Sequence, residues 1–184
     1  MALFASRAFA DGDLIHRTIS ALQGNSAEAM PPPAAMELAF SPGGGATDLV
    51  IKAIQSAHKT IHVASYSFTS RPIAHALIAA HQAGIDVAIV IDHEEVEQRR
   101  HSVAPLLTNA GVPLRVDIVH ALLHDKYMII DGKNVETGSF NYTAGAEEHN
   151  AENVLVLWDD PKLASAYEAN WQSLWDKAES YGGQ

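Results

Sequence analysis

The sequence predicts an α/β domain, a mixed β-sheet sandwiched between helices, and three observations carry that prediction. From Glu37 onward, short buried-type runs such as Val87 to Ile91 alternate with segments of helical period. Glycine closes two of the helical segments, at Gly84 and Gly111, where a helix end favours it. Asp131-Gly132 separates two apolar runs, which is a hairpin signal and makes part of the sheet antiparallel.

The elements follow in order. Met36-Glu-Leu-Ala-Phe-Ser41 is a short strand stopped by Pro42 and three glycines. Thr47 is placed to cap a helix reaching His58, with Leu49, Val50, Ala53, Ile54 and Ala57 on one face. Thr60 to Tyr66 is a strand. Pro72 opens a second helix, Ile73 to Ala83. Val87 to Ile91 is a buried strand, Arg99 to Ala110 a third helix, and Val112 to Val116 a short strand. Tyr127 to Ile130 and Asn134 to Thr137 form the hairpin. Val154 to Trp158 is the last strand, and Pro161 opens a final helix reaching Lys177.

Length and composition set the outer limits. The 184 residues suffice for one domain with a short extension. Apolar residues at 47% and charged residues at 18% exclude a disordered chain or a coiled coil. Cysteine is absent, which removes disulfides, thiolate metal sites and cysteine nucleophiles together. The net charge of −10 withholds the global basic footprint of a nucleic-acid binder, so such a substrate must be met by a local cleft. Residues 1–36 differ from the rest and read as an extension ending in the stiff linker Pro31-Pro32-Pro33, with the domain proper at 37–184. Ala8-Phe9-Ala10 resembles a signal-peptidase site behind a short apolar run broken by Arg7. A signal-peptide remnant and a loose arm both stay open.

The chemistry concentrates in His124-Asp-Lys126-Tyr-Met-Ile-Ile-Asp131 and Gly138-Ser139-Phe-Asn141. Residues two apart in a strand share a face, so His124 and Lys126 point together, as do Ser139 and Asn141. An imidazole nucleophile beside a fixed ammonium suits attack on a phosphodiester. Ser139 and Asn141 add hydrogen-bond donors, and Gly138 permits close backbone approach. Glu152, ahead of the last strand, is placed to hold His124 through its second ring nitrogen.

HxKxxxxD followed by GSxN is the motif of the phospholipase D superfamily, and this chain resembles that superfamily at every defined position. The resemblance extends through residues 37–177 and is strongest to its small single-motif endonucleases. It implies a homodimer whose two-fold axis joins two copies of His124, Lys126, Ser139 and Asn141 in one shared active site. One His124 would form a phosphohistidine and its partner would act as general acid, with no metal or other cofactor. Asp131 matches the motif aspartate and Glu152 the family's supporting glutamate. Both join the catalytic set, although the hairpin position of Asp131 favours a structural role. The implied function is a metal-independent phosphodiesterase, foremost a low-specificity endonuclease acting on DNA or RNA. Phospholipase D activity on phospholipid head groups is the alternative, and a non-catalytic dimeric binding protein a second one. The resemblance favours a periplasmic or secreted location, with a cytoplasmic one open.

Other residues have plainer readings beside functional ones. His120 and His124 form HxxxH, half of a helical zinc site, but no third ligand is evident and β-type residues follow. Asp92-His93-Glu94-Glu95 reads as a solvated loop rather than a metal site. Arg99-Arg100-His101 is the densest basic cluster, and Arg99 and Arg100 are candidates for substrate binding. Trp158, Trp171 and Trp175 read as packing for the last helix.

Overall fold

The computed structural model describes residues 35–97 and 101–182. Within them the expected layered architecture is present. The strands are β1 (Ala35–Ser41), β2 (Thr60–Ser65), β3 (Asp86–Asp92), β4 (Leu114–Asp117), β5 (Lys126–Ile130), β6 (Asn134–Gly138), β7 (Glu152–Trp158) and β8 (Glu179–Ser180). They form one sheet in the order β1-β7-β6-β5-β2-β3-β4-β8. The helices are α1 (Ala46–Gln55), α2 (Arg71–Gln82), α3 (His93–Glu97), α4 (Ala104–Asn109), α5 (Ala144–Glu148) and α6 (Pro161–Lys177).

Strand pairing explains the mixed sheet. β2, β3 and β4 run parallel, because each pair is joined through a helical crossover. β5, β6, β7 and β1 pair antiparallel beyond β2. One face buries Ile61, Val63, Ile89, Met128 and Val154 with the apolar sides of α1, α2 and α4. The opposite face buries Ala64, Val90, Tyr127 and Ile129 beneath α6. Trp171 packs there as expected, its indole N–H donating to the Val63 carbonyl at 2.9 Å. Residues 1–34 lie outside the described residues, and with them the signal-peptide reading. β1 starts two residues before the expected boundary, with Ala35 and Met36 paired to Trp158 and Leu157.

Three local expectations are corrected. Thr47 does not cap α1. Gly45, with φ 79°, takes that position, and the Thr47 N–H and hydroxyl both donate to Glu147 Oε2 at 2.9 and 2.8 Å. The helix expected over Arg99 to Ala110 is described only as Ala104–Asn109, with Pro105 in its first turn. A proline has no N–H to continue a helix from its N-terminal side. Asp92-His93-Glu94-Glu95 is not a solvated loop. Asp92 and Glu95 are buried, and Asp92 Oδ1 accepts the Glu94 N–H at 2.9 Å, capping α3.

The β5–β6 turn is fixed from outside. Asp131 and Gly132 have φ of 54° and 63°, the left-handed pair that a tight hairpin requires. The Asp131 carboxylate then accepts the backbone N–H groups of His58, Lys59 and Thr60 at 2.7–3.1 Å. Burial alone would raise its pKa, but the N–H groups of Thr60, Lys59 and His58 outweigh burial and hold it below the usual aspartate range. Beneath the β6–β7 connection, fully buried Glu136 accepts the Tyr142 hydroxyl at 2.6 Å. Burial pushes the Glu136 pKa up to about 8, against the pull of that hydrogen bond.

Two stability predictions follow from these carboxyl groups, with opposite pH dependence. Asp131→Ala leaves three N–H groups without their acceptor and should cost about 2–4 kcal/mol at pH 7 in urea unfolding. That stabilisation is complete above the unfolded pKa of about 3.9 and disappears as pH falls through the lower folded value. A deficit below about 0.5 kcal/mol, the size of an ordinary surface change, would reject the anchor role. Glu136 works the other way. Unfolded glutamate ionises near about 4.3 while the folded group keeps its proton, so stability declines from there toward the folded pKa of about 8. Glu136→Gln should therefore raise Tm more at pH 8.5 than at pH 5. An equal shift at both pH values would contradict a buried, protonated Glu136.

Candidate active site

Strand direction gathers the chemistry at one edge of the sheet. β2, β3 and β4 end at Ser65, Asp92 and Asp117, and β6 ends at Gly138. β5 and β7 run the other way and begin at the same edge with Lys126 and Glu152. Open α/β sheets present their sites at this carboxyl edge of the parallel strands.

His124 precedes β5 rather than lying in it, so strand parity does not orient it. It is exposed, and its ring lies 4.9 Å from that of Tyr66. Lys126 is buried. Its ammonium turns back to donate to the His124 carbonyl at 2.6 Å and lies 5.3 Å from the Tyr66 ring centre. Burial pushes the Lys126 pKa down, while the carboxylates of Asp125 and Glu152 push back. A partly desolvated ammonium gains the most from an incoming phosphate. His124, Lys126 and Gly138 border one cavity of about 410 Å³ together with Thr137, Tyr167 and Asn170.

The second half of the motif is held by β7. Ser139 donates to Glu152 Oε2 at 2.5 Å, and its own oxygen accepts the Asn153 N–H at 3.1 Å. Gly138 is required by this approach, since a Cβ there would run into the Asn153 carbonyl oxygen. Asn141 Oδ1 is buried and finds no hydrogen-bond partner among the described residues.

Two expected contacts turn out differently. Glu152 does not hold His124 within the chain. Its carboxylate takes Ser139 on one oxygen and Asn150 Nδ2, at 3.0 Å, on the other. The geometry makes Glu152 a holder of Ser139. Asp131 does not join the site either. It sits at the far end of β5 from Lys126, where its carboxylate is engaged by the backbone N–H groups of His58, Lys59 and Thr60. Arg99 and Arg100 lie outside the described residues. His120 bonds Asp117 Oδ2 at 2.7 Å rather than forming a site with His124. Among the described residues, no group of three or more His, Asp and Glu side chains could hold a metal ion.

The sequence reading missed Tyr66, which lies against both His124 and Lys126, and the Asn150 and Asn153 contacts to the serine–glutamate pair. A tyrosine directly after a buried strand was the one available signal for the first. Nothing local marked the asparagines.

Comparison with known proteins agrees with this geometry. Residues 50–175 match the family described as cardiolipin synthase, PLD-like domain. The fold is similar to that of Nuc, a phospholipase D family member from Salmonella typhimurium, with 42% identity and a TM-score of 0.77 over 81% of this chain and 99% of that one. It is also similar to NucT from Helicobacter pylori, with 26% identity and a TM-score of 0.71 over 80% and 99%. A curated relative, phospholipase D of Rickettsia prowazekii, is 37% identical over 134 residues, which are 73% of this chain and 64% of the relative. The chain thus spans less than two thirds of that relative's length. With the motif seated at one sheet edge and the match running through sequence and fold alike, the chain belongs to the phospholipase D superfamily.

Proposed function

We propose that this protein is a phosphodiesterase that cleaves nucleic acid, DNA in the first place, through a covalent intermediate on His124. The observation that carries the reading is the placement of His124, Lys126 and the Ser139–Glu152 pair at one sheet edge, with Lys126 desolvated beside the histidine. The match to Nuc and NucT over 99% of both chains supports a nuclease above a lipase.

In this reading the chain works as a homodimer, because the reaction uses two histidines and the chain carries one motif. One His124 attacks phosphorus, a P–N bond forms, and the P–O bond to the leaving group breaks. The partner's His124 gives its proton to the departing oxygen. It then takes a proton from water, which attacks phosphorus and releases the first imidazole. Lys126, Ser139 and Asn141 of both subunits bear the developing charge, so the step needs no metal. Glu152 positions Ser139. The second reading, a phospholipid substrate, draws on one feature: Ile118, Val119 and Leu122 are exposed in the loop leading to His124.

The reading generates two tests. Purified protein should cleave DNA in excess EDTA and be inhibited by vanadate, with phospholipid vesicles assayed in parallel. Faster turnover of the vesicles than of DNA would favour the second reading. Mixing His124→Ala with wild type under subunit exchange tests the shared site. At equal amounts only about a quarter of dimers carry two histidines, so activity per wild-type chain should fall to roughly half. Activity per chain that stays constant would show independent sites and require a different acid.

A further inference from the structure

The His124 ring is the group on which the proposed reaction turns, and little within the chain fixes it. The residue is exposed, and its ring takes part in no hydrogen bond among the described residues. Glu152, the expected holder, is engaged by Ser139 and Asn150. A reacting group left free to turn forfeits the advantage of orientation. What the imidazole does meet is the Tyr66 ring, at 4.9 Å between centres and a tilt of 48°, a separation at which aromatic rings attract.

Tyr66 is itself held in place. Its hydroxyl donates to Glu94 Oε2 at 3.3 Å, and its N–H donates to the Asp125 carbonyl at 3.0 Å. Glu94 is fixed in turn, its N–H donating to Asp92 Oδ1 at 2.9 Å. The other oxygen of that fully buried carboxylate accepts the Leu123 N–H at 2.7 Å. The chain is therefore pinned immediately before His124 by Asp92 and immediately after it by Tyr66. These bonds set the backbone of the histidine, and its side chain is left to lean on the tyrosine.

The same ring reaches the second half of the catalytic pair. The Lys126 ammonium lies 5.3 Å from the Tyr66 ring centre, within the range of a cation–π attraction. Ser65, next to Tyr66 in the chain, is paired with Lys126 across β2 and β5. One aromatic side chain outside the motif thus borders both the histidine and the lysine. Proton transfer is directional, so an acid that protonates a leaving oxygen must aim its N–H along one line.

We propose that Tyr66 is a positioning residue for His124, its ring setting the orientation in which the imidazole attacks phosphorus and delivers its proton, with Glu94 holding the tyrosine. The inference rests on the His124 chemistry proposed above and extends it to a residue outside the motif. It applies equally to a nucleic acid and to a phospholipid, because both present a phosphodiester.

The test uses two small diesters of similar shape, bis(p-nitrophenyl) phosphate and diphenyl phosphate. p-Nitrophenolate departs readily, whereas the more basic phenolate departs best with a proton, so the second substrate leans harder on the acid. Tyr66→Leu and Tyr66→Met both remove the ring. On diphenyl phosphate each should lower kcat by about tenfold to a hundredfold, with KM changed by less than about threefold. On bis(p-nitrophenyl) phosphate the fall in kcat should be smaller by at least about threefold. Tyr66→Phe keeps the ring and should retain at least about a third of wild-type kcat on both. Glu94→Ala loosens the tyrosine without emptying its place and should lower the ratio of the two kcat values, diphenyl over bis(p-nitrophenyl), by about twofold. That variant decides the matter if Tm shows that the ring-less ones do not fold, and an unchanged ratio in it then overturns the proposal. An unchanged kcat in Tyr66→Leu and Tyr66→Met overturns it too. So does an equal fall on both diesters, which would make Tyr66 a support of the sheet edge, or a Tyr66→Phe variant as impaired as the ring-less ones. Wild type inert toward both diesters would remove the phosphodiesterase reading and the proposal with it, whereas activity indifferent to Tyr66 removes the proposal alone.

Discussion

The register of β5 between β2 and β6 is the constraint on which the rest of the site depends. Ser65 pairs with Lys126 on one side, and Tyr127 pairs with Thr137 on the other. Side chains alternate across a strand, so a slip of one residue would carry Lys126 to the α6 face and Tyr127 to the opposite one. The slip is prevented at the far end of the strand. There the Asp131 carboxylate gathers the N–H groups that lead into β2, and a left-handed turn sets the return of β6. The motif aspartate thus holds Lys126, five residues away, in register.

Buried polar groups near the catalytic edge follow one physical pattern. Asp92 caps α3 with one oxygen and accepts the Leu123 N–H with the other, at 2.7 Å, fixing the residue just before His124. Glu136 and Tyr142 satisfy one another beneath the Ser139–Asn141 loop. Each contact costs desolvation and is retained where it orders a loop rather than a regular element. Asn141 Oδ1 stands apart from this pattern as a buried acceptor without a donor among the described residues.

Much of this was legible in the residues. The hairpin at Asp131-Gly132 and the glycine closures at Gly84 and Gly111 follow from backbone sterics, which act locally and leave a sequence mark. Gly138 is likewise required sterically, because the Asn153 carbonyl of β7 occupies the place of a Cβ. The errors lie where a side chain had two local options. Thr47 is a good cap by type, but Glu147, 100 residues away, claims its N–H and hydroxyl. The acidic run after β3 is polar enough for a loop, yet its first residue caps a helix and points inward. Glu152 carries the right charge for holding a histidine, but the strand register brings Ser139 to it first.

The sequence by itself determined the α/β class, the order of most elements and the residues of the motif. These depend on periodicity, turn sterics and chemical type, which are properties of neighbouring residues. Only the tertiary structure decided that Asp131 stands at the far end of the sheet, that Glu152 accepts from Ser139, and that Tyr66 lies against His124. Those facts depend on which strand lies beside which and in what register. Pairings between residues tens of positions apart are set by the packing of the whole sheet, and no short window of sequence contains them.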